Sequence, residues 1–256
     1  MKVKMNKFYK MDAVDFMQHI PDESVDAVIT DPPYGVDYAD SLYFDDSLSN
    51  ALLTLDRAIV EMHRVLKTRH YLYMDVPTKY IDLFIEIIRK YFEYVTILTA
   101  RTKASCMIPK GTYKNDAQFI VVASKGKAKR LNRVDIQRKS DAWLSDKRNT
   151  DPNPFSYHYS TILSKRANAE VKNHPNAKNV ELIKDFILLS TNIGELVLDP
   201  FAGGGSVAKA AVATGRNYYT CDISDEFFID PCCGSAGWLS SIAKSLGDDG
   251  GEDKAA

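Results

Sequence analysis

Residues 196–222, LVLDPFAGGGSVAKAAVATGRNYYTCD, constrain the fold more than any other stretch of this chain. An apolar run ends in an aspartate, three glycines follow, and an alanine-rich helical segment leads to a second apolar run that also ends in an aspartate. Strand, tight turn, helix and strand in that order make a βαβ unit, whose two strands lie parallel in one sheet. Gly203, Gly204 and Gly205 allow backbone angles closed to other residues and a close approach by a ligand. A helix starting at Ser206 presents free N–H groups and the positive end of its dipole to that turn. An open α/β sheet holds a nucleotide-like molecule in this way, beyond the carboxyl ends of its strands. A purely structural tight turn would read the same. The segment is neither the dinucleotide pattern GxGxxG nor the phosphate loop GxxxxGK[ST]. Asp199 and Asp222 each close a strand, and Asp222 sits where one carboxylate can accept hydrogen bonds from both hydroxyls of a ribose. Such an acidic rim suits a cofactor without phosphates.

The rest of the chain alternates in the same manner. Residues 25–30 (VDAVIT) form an apolar strand that stops at Asp31-Pro32-Pro33-Tyr34, because two prolines cannot continue a central ladder. Apolar positions at helical spacing run from Leu52 to Leu66. Residues 71–75 read as a strand, 80–89 as an amphipathic helix, and 94–100 and 118–123 as strands. A polar, basic stretch from Ser124 to about Pro175 interrupts the pattern, with one short regular piece near residues 160–169. A helix over 180–190, a strand over 195–199, a helix over 206–214 and a strand over 218–222 follow. Helices alternating with strands imply a mostly parallel sheet covered on both faces.

Asp31 to Tyr34 carries the sharper chemical signal. The exocyclic amine of a nucleobase is a poor nucleophile, because its lone pair is delocalised into the ring. Two fixed acceptors, the Asp31 carboxylate and the Pro32 carbonyl, can bind both N–H groups and favour a pyramidal nitrogen whose lone pair points at an electrophile. That is positioning with electrostatic stabilisation, and it needs no covalent intermediate. Tyr34 offers a face on which an unstacked base can lie, and Pro32 and Pro33 stiffen the loop. An ordinary strand-ending turn is the competing explanation for such a loop.

Charge separates the chain into unlike parts. The net charge of the 256 residues is −1, but residues 101–178 hold 17 Lys/Arg against 6 Asp/Glu, and the remainder is acidic. A basic face on an acidic body can gather a polyanion by Coulomb attraction and counterion release. Arg130, Arg133, Arg138, Lys139, Lys147, Arg148, Lys165 and Arg166 are the candidates for contacts to DNA. Cys106, Cys221, Cys232 and Cys233 form no CxxC pair and no disulfide framework, so the expectation is a reduced, cytoplasmic protein without a metal site. No run of apolar residues is long enough to span a membrane, and the first residues do not read as a signal peptide.

With both motifs in one domain, the chain resembles the amino-methyltransferases of DNA. DPPY at residues 31–34 looks like their catalytic motif and DPFAGGGS at 199–206 like their cofactor motif, with Phe201, Gly203 and Gly205 in its three fixed places. The catalytic motif coming first is typical of the beta class. The resemblance implies a Rossmann-like S-adenosylmethionine-dependent methyltransferase fold, circularly permuted. It further implies S-adenosyl-L-methionine as cofactor and double-stranded DNA as partner, and it allows a homodimer and a separately acting cognate restriction endonuclease. It casts Asp31, Pro32, Pro33 and Tyr34 as catalytic and Asp12, Lys178, Asp199, Phe201, Gly203, Gly205, Ser206 and Asp222 as lining the cofactor site. In that scheme Asp12 follows the strand beside the cofactor adenine. Lys178, in HPNAKNVELIKDFI from His174, is expected to secure the cofactor's carboxylate end.

The implied activity is methylation of adenine N6 on a flipped base. Cytosine N4, or RNA in place of DNA, is the alternative, and a non-catalytic nucleic-acid-binding protein with the same shell is a further one. Residues 1–125 and 174–246 would form the catalytic domain, 126–173 the inserted target-recognition region and 247–256 a flexible tail. DPCCGSAG at 230–237 resembles a second cofactor turn of type I modification subunits. With few residues after it and no flanking strands, it reads as a local turn into a short helix over 238–246, with a repeated or joined gene end as the alternative.

Overall fold

A computed structural model of the chain describes residues 2–36, 46–102, 117–132, 161–164, 178–225, 228 and 230–231. Along the chain run β1 (Lys7–Lys10), α1 (Ala13–Met17), β2 (Val25–Thr30), α2 (Leu48–Val65), β3 (Leu66–Val76), a 3-10 turn (Thr78–Tyr80), α3 (Ile81–Arg89), β4 (Tyr94–Thr102) and β5 (Ala117–Ser124). They are followed by β6 (Thr161–Ser164), α4 (Val180–Ser190), β7 (Leu196–Asp199), α5 (Ser206–Ala213) and β8 (Asn217–Asp222). The eight strands form one sheet in the order β1-β8-β7-β2-β3-β5-β4-β6. From β1 to β3 in that order every pair is parallel; β5 runs antiparallel to both β3 and β4, and β6 parallel to β4. Among the described residues the first strand thus lies beside the last, as the circular permutation requires.

Each face of the sheet carries its own apolar layer. Phe16 and Met17 of α1, Leu55, Ile59 and Met62 of α2, and Phe84 and Ile88 of α3 pack with Val28, Leu72, Met74 and Val121. On the other face, Leu182, Ile183, Phe186 and Ile187 of α4 and Val207, Ala208, Ala210 and Ala211 of α5 pack with Ile29, Tyr73, Val122 and Val197. Neighbouring residues of a strand point to opposite faces, so Val28 joins one layer and Ile29 the other. Burial on both sides explains why β2 reads as an unbroken apolar run, and all six of its residues are buried.

The crossovers fix where a ligand can bind. From β7 the chain leaves through α5 on one face; from β2 it leaves through α2 on the other, towards the opposite edge. β7 and β2 are neighbours, so a crevice opens between their carboxyl ends, the usual ligand position in such sheets. The glycine turn follows β7 and the Asp-Pro-Pro-Tyr loop follows β2.

Two elements differ from the expectation. α2 begins at Leu48, one turn early, and β3 begins at Leu66 rather than near Tyr71. No glycine separates them; Leu66 itself turns extended, at φ −71° and ψ 131°. The added strand residues include the polar Lys67-Thr68-Arg69-His70, with Arg69 at φ 70° and a register shift against β2 between Val25 and Ala27. An irregular polar stretch of this kind has no period for pattern reading to find. β6 lies within the expected insertion and extends the sheet beyond β4. The expected helix over 238–246 and the tail over 247–256 lie outside the described residues. Among the described residues no helix is long and apolar enough to cross a membrane.

Candidate active site

At the carboxyl edge of the five parallel strands stand five aspartates: in sheet order Asp12, Asp222, Asp199, Asp31 and Asp75. Asp12 caps α1, its Oδ1 accepting from Val14 N at 2.9 Å and Asp15 N at 3.2 Å. Just before it, Met11 N donates to the Asp222 carbonyl at 2.9 Å, which joins the ends of β1 and β8.

The glycine bend is built by the aspartates on either side of it. Gly203 and Gly205 take φ of 46° and 78°, the left-handed region that a side chain disfavours. Asp222 Oδ2 accepts from Gly203 N at 2.8 Å and Oδ1 from Ser224 N at 3.1 Å, so this carboxylate shapes the turn itself. Gly205 caps α5 without a side-chain acceptor, which leaves the first N–H groups of the helix uncovered by any cap. Asp199 is buried, and its Oδ1 accepts from Thr30 Oγ1 at 2.9 Å and Phe201 N at 3.2 Å. Burial pushes Asp199 up to about 7; the two donors pull it down, and Asp222 and Asp31 add to the rise. The Thr30 bond crosses from the end of β2 to the end of β7. It brings the acidic loop and the glycine bend side by side although they are far apart in sequence.

In the acidic loop, Asp31 Oδ2 pairs with Lys178 Nζ at 3.0 Å, while Oδ1 is out of solvent contact with no hydrogen-bond partner among the described residues. Lys178 also donates to Tyr34 Oη at 2.8 Å and stands 5.2 Å from the ring centroid. Asp75 Oδ2 lies 3.9 Å from the same nitrogen, and Gln118 Nε2 donates to the other Asp75 oxygen. Burial disfavours the Lys178 ammonium, yet Asp31 and Asp75 outweigh it and hold the group above its ordinary range. Burial pushes Asp75 up to about 6, against the pull of Lys178. Burial, with Asp31 and Asp75 close by, also raises the Tyr34 hydroxyl well above its ordinary value. Past the tyrosine, Gly35 at φ 67° donates its N–H to Asp46 Oδ1 at 2.9 Å, and Val36 N donates to Oδ2 at 3.3 Å.

The structure therefore brings together Asp31, Tyr34, Asp199, Phe201, Gly203, Gly205, Ser206 and Asp222 in one region, with Asp12 at its β1 side. Lys178 is placed on the acidic loop, bonded to Asp31 and Tyr34. Sequence reasoning passed over Thr30, Asp46, Asp75 and Gln118. Asp75 had a readable signal, an apolar strand closing in an aspartate as at Asp199 and Asp222; Asp46 had none. Arg130 is exposed. Arg133, Arg138, Lys139, Lys147, Arg148, Lys165 and Arg166 lie outside the described residues.

The model of the N6/N4 DNA methylases matches residues 25–229. The chain belongs to this DNA methylase family. The methylase is 28% identical over 236 residues to the DNA adenine methyltransferase YhdJ of Escherichia coli, an alignment that covers 84% of this chain and 78% of that protein. It is 26% identical over 226 residues to the type II methyltransferase M.BamHI of Bacillus amyloliquefaciens, covering 84% of this chain and 53% of the relative, about half its length. In fold it is similar to the cytosine-N4-specific PvuII DNA methyltransferase, with TM-score 0.64, 14% identity and coverage of 96% and 93% of the two chains. The M1.HpyAVI complex with S-adenosylmethionine gives TM-score 0.59 at 20% identity, covering 86% of this chain and 94% of that one. The methylase uses S-adenosylmethionine as its methyl donor. The site fits that molecule: the bend leaves a helix terminus uncapped, its rim is acidic, and a lone carboxylate oxygen is buried beside it.

Proposed function

We propose that this methylase transfers a methyl group to the N6 amine of adenine in double-stranded DNA, on a base rotated out of the helix. The observation that carries the reading is the Oδ1 of Asp31, buried at the carboxyl ends of β2 and β7 with no hydrogen-bond partner among the described residues. An unsatisfied buried acceptor is costly, and a reaction site is where such a cost has a use. S-adenosylmethionine, when bound, supplies a methyl carbon made electrophilic by its sulfonium. Asp31 Oδ1, with the Pro32 carbonyl as its partner, accepts the N–H groups of the target amine and turns the nitrogen lone pair outwards. Tyr34 provides the surface for the base, whose amine is out of reach while stacked in a duplex. Asp12, Asp199, Phe201, Gly203, Gly205, Ser206 and Asp222 hold the cofactor, and the basic segment gathers the DNA backbone.

Aspartate in the first place of the loop supports adenine, since the family's cytosine enzymes lean to serine there; the relative YhdJ is named an adenine methyltransferase. Nucleoside mass spectrometry of DNA from cells expressing the chain tests the assignment. N6-methyladenine is expected, and N4-methylcytosine in its place would overturn it. In the purified protein, Asp31→Ala should lower transfer by at least about a thousandfold while binding S-adenosylmethionine normally; wild-type turnover would refute the role of the carboxylate.

A further inference from the structure

The Lys178 ammonium has three N–H donors on a flexible four-carbon stem. Asp31 offers it two chemically equal oxygens, yet it sits on Oδ2, and Oδ1 has no hydrogen-bond partner among the described residues. Something must hold it there, because a small swing of the stem would cover the oxygen that the target amine requires. Tyr34 Oη takes one donor direction at 2.8 Å. Asp75 supplies a second carboxylate, with Oδ2 3.9 Å from Nζ and a side chain only 16% exposed. That separation marks an ion pair held by charge rather than a hydrogen bond. Asp75 is in turn fixed by Gln118, which donates to its other oxygen from β5, the strand paired with β3.

We propose that Asp75, braced by Gln118, is a positioning residue that anchors Lys178 on one oxygen of Asp31 and so keeps the other open for the target amine. The proposal rests on the reading of Asp31 as the amine acceptor. It also gives the cluster a definite charge. Two carboxylates and one ammonium sum to −1, which favours the positive charge that develops on the amine nitrogen as the methyl transfers. Protonating Asp75 removes that charge and loosens Lys178. The groups that face Asp75 are Lys178, Asp31, Tyr34 and the neutral Gln118, and the rise of Asp75 above the ordinary carboxylate range puts the loss on the acid side of neutrality.

The test is Asp75→Asn in the full chain, assayed by steady-state and single-turnover transfer to DNA between pH 5 and 8.5, with calorimetry for S-adenosylmethionine. The expected result is a kcat at least about tenfold lower, with KM for DNA and cofactor affinity within about threefold of wild type. The acid-side inflection of kcat should vanish. Wild-type kcat with an unchanged pH profile would overturn the proposal. If circular dichroism shows that Asp75→Asn does not fold, Gln118→Met carries the test. It removes the donor that favours the Asp75 carboxylate, so the inflection should move to higher pH, and an unmoved inflection overturns the proposal. Asp31→Ala, run alongside, separates the two ideas. If it is dead while Asp75→Asn is normal, only the positioning role fails; if it is active, the reading beneath it fails.

Discussion

Asp199 stores a cost that can be measured without substrate. Its carboxyl is buried between β2 and β7, and its pKa lies near 7 against an ordinary 3.8. Between those two values the unfolded chain has lost the proton and the folded chain keeps it, so stability falls as pH rises. This sign is the reverse of that for a salt-bridged aspartate, whose stabilising effect is lost on acidification. From pH 5 to pH 8 the linkage is worth roughly 2–3 kcal/mol, or about 5–10 °C in Tm for a domain of this size. Asp199→Asn removes the titration but keeps a carbonyl oxygen for the Thr30 hydroxyl and the Phe201 N–H. Urea unfolding of both proteins at pH 5, 6, 7 and 8 gives the difference, in which titrations common to both cancel. The gap should widen with pH in favour of the asparagine variant, by about 2–3 kcal/mol over the range. A gap that stays constant refutes the argument. The same charge matters for ligand binding, because a cation beside Asp199 favours the ionised form. Near pH 6.5, S-adenosylmethionine binding should therefore release protons, read as a dependence of the calorimetric enthalpy on buffer ionisation heat, and Asp199→Asn should abolish that dependence.

Asp222→Ala removes the acceptor for Gly203 N and Ser224 N, so the bend loosens and S-adenosylmethionine affinity should fall at least about tenfold by calorimetry; a change under twofold would refute its role. Gly35→Ala should cost about 2–4 kcal/mol in urea unfolding, because the residue has φ 67° and an added Cβ would lie 2.6 Å from the Leu48 Cα; an unchanged midpoint would show that the loop and α2 yield freely.

The sheet was largely readable because its strands are buried on both faces and punctuated by turn chemistry. Residues 25–30, 180–190 and 206–213 behave as their patterns dictate, and the glycine bend falls where the aspartates and glycines put it. Legibility stopped where structure depends on partners distant in sequence. Lys178 illustrates this: its family motif implied the cofactor, while its position is set by two acids more than a hundred residues earlier. Asp46 holds the backbone after Tyr34 from the foot of α2, and the second of two adjacent aspartates in a stretch without a period announces no such task. The entry to β3 was hidden because the four polar residues after Leu66 have no alternation, and the strand gains its regular register only from Ala27 opposite Tyr71.

Five aspartates along one edge would repel one another unless each were treated differently, and the differences assign the work of the edge. Asp12 is spent on a helix cap and Asp222 on two backbone N–H groups. Asp199 is pushed towards neutrality by burial. Asp31 and Asp75 share Lys178, the one cation paired with any of the five among the described residues. The edge as a whole stays negative, so it favours a cationic ligand and disfavours phosphate. On the proposed function, DNA must nevertheless bring a phosphate chain close to it for the base to enter. On that function, the repulsion between edge and backbone would be offset by cations away from the edge, and residues 101–177, the stretch before Lys178, hold 16 basic against 6 acidic side chains. The uneven charge of the sequence and the acidic rim of the sheet then meet, on the proposed function, one requirement: a site that attracts a sulfonium needs cations elsewhere for the polyanion on which it acts.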